Sequence, residues 1–355
     1  AKHLGASPLA VAHTQRLHFA KNLIDQTSLS MQDVSVAAGY GSVRRFNDTF
    51  KKTYGSTPRE LRRHQESTVV SSAFAVQLPY RLPFDWQQVL AFFSARATPG
   101  VERVENGRYL RTIAIDDVGG IVDIRDAGGH LSLSLHGIGT EGLFSIVQRV
   151  RSIFDLDATT HDIASTLSAD EVLRPLVKSN PGVRVPGSWD GFELTVRAIL
   201  GQQVSVSAAT TLAGRIADRY GERIEVAVEG MAQAPTRLFP RPQRLMRARL
   251  ETLGIIGSRA RTIRRVASAV VAGDISFDAA ESTDRFRDSL KTVKGIGDWT
   301  AEYVAMRAMK DPDAFPATDL GLLRAFDAPG RERMKPRELL ARAEAWRPWR
   351  AYAAL

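Results

Sequence analysis

Apolar positions in this 355-residue chain change their period twice, and the changes divide it into three stretches. In the first, Leu17, Ala20 and Leu23-Ile24 recur at helical spacing after Pro8, a residue suited to opening a helix. A second helix is expected over 31–38, capped by Ser30 with Asp33 at its third position. Gly39-Tyr40-Gly41 turns the chain, Ser42 caps a third helix running to about Tyr54, and Gly55-Ser-Thr-Pro58 closes it. A helix, a short glycine turn and a basic second helix form the helix-turn-helix layout. From 73 to about 139 the period falls to two. Strands are predicted near 74–78, 101–104, 109–115, 120–124 and 131–135, with one amphipathic helix over 85–95 and a tight hairpin turn at Asn106-Gly107. Beyond Leu143 the spacing is helical to the end, with helices expected at 143–153, 161–166, 169–178, 189–200, 206–219, 242–252, 257–271, 282–290, 298–308, 318–326 and 336–347.

The predicted architecture is therefore mainly α with a small α+β domain. It comprises a helix-turn-helix domain (1–66), a small mixed α/β sheet domain (73–142) and a large helical domain (143–355), with a polar Ser/Thr-rich linker over 65–72. This length is enough for two or three separate cores. Net charge of +9 and a pI near 10.0 favour a polyanionic partner such as nucleic acid, or else a solubilising surplus of surface charge. No apolar run approaches the length of a membrane span and no signal peptide opens the chain, so a cytoplasmic, nucleoid-associated monomer with no membrane partner is expected. The chain contains no cysteine, which excludes disulfides, thiol nucleophiles, thiolate zinc sites and iron–sulfur clusters.

The richest chemistry lies in Leu290-Lys-Thr-Val-Lys-Gly-Ile-Gly-Asp-Trp-Thr-Ala-Glu-Tyr303 and in Asp319, 22 residues beyond Gly297. A helix, a Gly-Ile-Gly turn and a second helix read as a helix-hairpin-helix. The bare backbones of Gly295 and Gly297 let a phosphate approach amide N–H groups at a helix N-terminus, with Thr300 helping. Asp319 reads locally as an N-cap of the helix that follows, with a catalytic carboxylate as the alternative. Asp311 and Asp313 are expected to be solvated, and Asp298 to be first-turn helix charge. Trp299 and Tyr303, four apart, share one helix face, either as a core stripe or as a pocket wall.

Trp189 to Leu355 resembles the helix-hairpin-helix DNA glycosylases, and most of all the 3-methyladenine DNA glycosylase II (AlkA) family. The resemblance is carried by Val196-Arg-Ala-Ile-Leu-Gly-Gln-Gln-Val-Ser205, the hairpin, Phe315-Pro-Ala-Thr-Asp319 and Trp346-Arg-Pro-Trp-Arg350. It implies excision of alkylated bases, of the 3-methyladenine and 7-methylguanine type, from double-stranded DNA. Asp319 would be the catalytic aspartate, Trp299 and Tyr303 the base pocket, and Gln202 and Gln203 the residues that fill the vacated stack opposite the orphaned base. Trp299 stands where glycosylases with lyase activity carry a lysine, so a monofunctional enzyme is implied. No cofactor is required. The resemblance also suggests a Na+ or K+ ion held by the hairpin carbonyls of Lys291, Val293 and Ile296. The sheet domain is similar to the one preceding the helical domains in that family, with a packing role expected.

Val34 to Phe50 resembles the second repeat of AraC-type regulators, in the form found in Ada-type methylation-response proteins. This implies promoter binding, with Arg44 and Arg45 reading guanine edges or gripping phosphates. Leu4-Gly-Ala-Ser-Pro8 reads as the end of a first repeat, so residue 1 is expected to be a fragment boundary. The glycosylase pattern also continues past Leu355 in the family, which suggests truncation there. The rival reading is a regulator whose glycosylase domain only binds or senses damaged DNA.

Overall fold

The computed structural model describes residues 7–63, 75–278, 281–326 and 334–355. Four helices come first: α1 (Pro8–Gln26), α2 (Met31–Ala37), α3 (Val43–Tyr54) and α4 (Pro58–Arg63). Then follow β1 (Ala75–Pro79), α5 (Trp86–Ser94), β2 (Glu102–Glu105), β3 (Arg108–Ile115), β4 (Val118–Asp126), β5 (His130–His136) and α6 (Leu143–Ile153). The remainder is helical: α7 (Thr160–Leu167), α8 (Leu173–Ser179), α9 (Gly191–Leu200), α10 (Val206–Tyr220), α11 (Pro242–Leu245) and α12 (Gly257–Ala272). After these come α13 (Thr283–Lys291), α14 (Asp298–Arg307), α15 (Leu320–Ala325), α16 (Pro336–Ala343) and α17 (Arg350–Ala353). The fold is mostly helical with one small antiparallel sheet, as the sequence periodicity predicts. The linker at 65–72, the opening segment at 1–6 and Phe74 lie outside the described residues.

The chain forms two compact units. The first gathers the segment ending at Pro79 with Leu110–Val150 and Glu225–Ala234; the second gathers Tyr80–Tyr109, Arg151–Ile224 and Pro235–Leu355. In the first unit, side-chain oxygens of Ser7, Ser30 and Ser42 accept from the third helical N–H of α1, α2 and α3, which fixes where each helix starts. Leu23, Val34, Phe46 and Phe50 are fully buried between these helices, and Gly55 closes α3 in the left-handed conformation. The strand order is β1-β5-β4-β3-β2. The antiparallel register sets Val76 opposite Leu133, Leu78 opposite Leu131 and Ile124 opposite Leu133, so their apolar side chains share one buried face.

The second unit is built around α9, which packs on α10, α12 and α14. Asp190 caps it, and Val196, Ile199 and Leu200 are completely buried, each worth roughly 1.5–3 kcal/mol of apolar transfer. Two predicted helices are interrupted. The 242–252 segment breaks after Leu245 and resumes as a 3-10 turn at Leu250–Leu253, because burying Leu245, Ala248 and Leu250 together overrides the local helical preference. The last predicted helix ends at Ala343 and becomes a 3-10 turn that buries Trp346. Trp346 donates to Asp170 at 3.0 Å, and Arg342 grips the same carboxylate through two nitrogens at 2.8 and 3.0 Å.

Candidate active site and nucleic-acid interface

The hairpin predicted from Gly295-Ile-Gly297 joins α13 to α14. Val293 and Ile296 anchor its turn in the core, and the Ile296 N–H donates to the Val293 carbonyl at 3.0 Å. Gly295 has φ +104°, and a Cβ placed there would lie 2.1 Å from Thr262 Oγ1. Both the backbone conformation and the neighbouring helix α12 therefore demand glycine. Gly297 is the N-cap of α14 and has no side-chain cap. Among the described residues, the N–H groups of Gly295 and Gly297 make no hydrogen bond within the chain, so they and the first turn of α14 present donors and positive dipole to an anion. Thr300 is only 2% exposed and its hydroxyl accepts from Gln202 at 3.2 Å. Its side chain therefore sits beneath the turn. Lys291 is partly exposed and faces Asp298 at 3.5 Å.

A cleft of about 310 Å³ opens beside the hairpin. Trp299, Tyr303 and Asp319 all line it, together with Arg96, Arg197 and Arg307. The two aromatic rings stack, with centroids 5.1 Å apart and planes 11° from parallel. Asp319 fills both roles left open by the sequence. Its Oδ1 caps α15, accepting from the N–H groups of Gly321 at 2.7 Å and Leu322 at 3.2 Å. Its Oδ2 accepts from Trp299 Nε1 at 2.7 Å. Three donors thus fix the carboxylate plane at the cleft wall.

The neighbouring acids are not solvated, contrary to expectation. Asp311 is bound by Arg287, which also pairs with Glu302 at 2.9 Å, while Arg350 holds Asp313 at 2.8 Å. These pairs tie the loop before Asp319 to its surroundings, and among the described residues Asp319 is the carboxylate that lines the cleft.

The sequence reading missed the arginines. Arg197 pairs with Glu102 at 2.9 Å and Glu193 at 3.3 Å, which balances its charge. Arg307 donates to Tyr303 Oη and to the carbonyls of Pro186 at 2.7 Å and Gly187 at 3.2 Å. Arg96 lies 4.0 Å over the Phe92 ring. Burial alone would raise the Tyr303 pKa, but the nearby Arg307, Arg96 and Arg197 cations outweigh it and pull the phenol below its ordinary value. Arg307 was accessible to sequence reasoning, since it continues the Trp299–Tyr303 helix face by four residues. Arg96 arrives from the loop after α5, far away in sequence, and had no local signal.

Gln203 is exposed at the tip of the α9–α10 turn, with φ +56°. Gln202 points the other way, donating to the Gly295 carbonyl at 3.1 Å as well as to Thr300. In the first unit, Arg44 and Arg45 are exposed in the first turn of α3. Among the described residues no group of three or more His, Asp or Glu side chains is placed to hold a metal ion, and no helix is long and apolar enough to cross a membrane.

Three family models match in succession: a helix-turn-helix domain over 1–64, the AlkA N-terminal domain over 75–190, and the HhH-GPD superfamily of base excision DNA repair proteins over 196–351. The chain is 38% identical over 355 residues to a probable bifunctional transcriptional activator/DNA repair enzyme AlkA of Mycobacterium tuberculosis, covering 99% of this chain and 71% of that one. It is 35% identical to the DNA-3-methyladenine glycosylase 2 of Escherichia coli over 287 residues, 78% of this chain and 94% of the relative. The chain belongs to the AlkA family of DNA glycosylases. It joins an AraC-type helix-turn-helix to an AlkA-type glycosylase. The AlkA fold itself is matched by a 3-methyladenine DNA glycosylase from Archaeoglobus fulgidus, with TM-score 0.67 at 22% identity, covering 79% of this chain and 95% of that one.

Proposed function

We propose that this AlkA-type chain extrudes a base alkylated at a ring nitrogen from duplex DNA and hydrolyses its N-glycosidic bond, leaving the strand intact. The carrying observation is Asp319, held by three donors at the wall of a cleft whose aromatic pair could receive a base. As the C1′–N bond breaks, its electron pair leaves with the base and positive charge grows on the sugar. A carboxylate about 4 Å away stabilises that charge by about 4 kcal/mol in a partly solvated site, about a thousandfold in rate. Water then bonds to C1′, and Asp319 accepts its proton. Bases alkylated on a ring nitrogen are cationic. The ring faces of Trp299 and Tyr303 attract them, and such bases leave readily.

No lysine lines the cleft among the described residues, so the Schiff base needed for strand cleavage has no amine. Neither step calls for a cofactor. The Lys291, Val293 and Ile296 carbonyls remain the candidates for a Na+ or K+ ion between hairpin and phosphate. The protein acts as a monomer on DNA, and Arg44 and Arg45 of the helix-turn-helix contact promoter DNA.

The test is release of free methylated base from alkylated duplex DNA by the wild type and by Asp319→Asn. The expected result is release by the wild type, leaving alkali-labile but unbroken strands, and a loss of about a thousandfold in the variant. Equal release by both proteins would remove Asp319 from the reaction. DNA binding without release by either would favour a damage-sensing regulator.

A further inference from the structure

Three turns of the second unit, far apart in sequence, are tied together by side chains that contribute nothing to the cleft. Gln202, in the α9–α10 turn, donates through one amide nitrogen to the Gly295 carbonyl at 3.1 Å and to Thr300 Oγ1 at 3.2 Å, both in the hairpin. Arg259, in the first turn of α12, donates to the Gln202 carbonyl. Thr262, one helical turn further on, donates to the carbonyls of Ser258 and Lys294, each at 3.1 Å, and packs under Gly295. The next residue after Gln202 is Gln203, exposed and left-handed.

We propose that Gln202 and Arg259 are positioning residues that lock the Gln203 turn to the phosphate-binding hairpin. This inference rests on the base-extrusion reading above. Extrusion needs two actions at a fixed separation: a grip on the backbone beside the lesion and a side chain entering the stack as the base leaves. The hairpin supplies the first through backbone N–H groups. Gln203 is placed for the second, but a left-handed glutamine at the tip of a short turn holds its place only if its surroundings enforce it. Gln202 enforces it from the hairpin side and Arg259 from α12. Without them the grip survives, but the two actions lose their common frame.

The experiment compares Gln202→Met, Arg259→Met and the conservative Arg259→Lys with the wild type. The substrate is a short duplex carrying one 7-methylguanine opposite cytosine; in parallel, the same lesion strand is used without its complement, where no paired stack must be broken. Rates are single-turnover, 2-aminopurine beside the lesion reports unstacking, and thermal midpoints monitor folding. The ratio of paired to unpaired excision rate should fall about tenfold in both Met variants, with the 2-aminopurine signal reduced in parallel. Arg259→Lys, which keeps a donor for the Gln202 carbonyl, should recover most of that ratio. An unchanged ratio in both Met variants, or equal losses on both substrates, would overturn the brace while leaving the enzymatic reading in place. Failure of the wild type to release base from either substrate would overturn the enzymatic reading and the brace with it.

Discussion

Gly295→Ala is a severe test of the hairpin geometry because two independent penalties meet at one methyl group. The backbone sits at φ +104°, beyond the left-handed well that Asn or Asp tolerates, so any Cβ costs about 1–3 kcal/mol in conformation alone. The new methyl would also lie 2.1 Å from Thr262 Oγ1 and 3.1 Å from its Cγ2, an overpacking that costs about 1–3 kcal/mol more. The sum, about 4 kcal/mol, is a large share of a typical domain's stability and corresponds to a fall of roughly 10 °C in the melting midpoint of a unit this size. The two penalties can be separated. Thr262→Ala removes both clashing atoms and leaves only Cβ, 3.2 Å from the new methyl, so in that background Gly295→Ala should cost about 2 kcal/mol. Thr262→Ala alone gives up its hydroxyl hydrogen bond, about 1 kcal/mol. Calorimetric or denaturant unfolding of all four members of the cycle provides the assay. A coupling below about 0.5 kcal/mol would refute the claim that Thr262 dictates glycine here.

Further expectations concern charge. Burial alone would raise the Asp170 pKa, but hydrogen bonds from Arg342, Trp346 and the Val172 and Leu173 N–H groups outweigh it and hold the carboxyl down at about 2. Its stabilisation, about 2 kcal/mol, is present above the ordinary aspartate value and lost as pH falls from about 4 through about 2, so the stability gap between wild type and Asp170→Asn should narrow over that window. A gap independent of pH would contradict this assignment. Tyr303, pulled down by its three arginines, should ionise before an ordinary tyrosine, and in an absorbance titration the earliest phenol step should vanish in Tyr303→Phe; superimposable curves would refute it. Arg96 opposes a cationic base in the cleft by on the order of 1–2 kcal/mol. Arg96→Met should therefore shift excision toward 7-methylguanine and away from uncharged hypoxanthine by roughly tenfold, measured as the ratio of the two single-turnover rates.

What could be read from the sequence was whatever is encoded locally. The caps at Ser30 and Ser42, the Asn106-Gly107 turn with both residues at positive φ, and the hairpin all announce themselves within a few residues. One local signal was overlooked. Thr57-Pro-Arg-Glu60 is a capping box with proline at the first helical position, and it opens α4: the Thr57 N–H donates to Glu60 at 2.7 Å and the Glu60 N–H to Thr57 Oγ1 at 3.2 Å. Long-range features stayed hidden. Arg96 reaches the cleft because Glu102 accepts from Thr98 N–H, Tyr109 and Arg197 at 2.7 to 3.0 Å, pinning its loop to α9. Nothing in the spacing of 96, 102 and 197 reveals that. The same holds for Asp311 and Asp313, which look like loop acids until their arginines arrive from α13 and α17.

The choice between cap and catalyst at Asp319 dissolves once its two oxygens are considered separately. Capping consumes Oδ1 and orients the carboxylate; the hydrogen bond from Trp299 holds Oδ2 without exhausting its lone pairs. A side chain fixed in this way has already lost its rotamer freedom in the folded protein, so it does not reorganise when charge appears on the sugar. Asparagine is as good an N-cap as aspartate, and its oxygen can keep the Gly321 and Leu322 bonds. Its amide nitrogen would then face the Trp299 N–H, donor against donor, and would carry no charge. Asp319→Asn should therefore lose activity by orders of magnitude while its stability falls by no more than about 1–3 kcal/mol, the cost of the unpaired indole donor. A variant that unfolded instead would show that the bond from the Trp299 indole holds the fold, and that this position supplies structure rather than charge to the reaction.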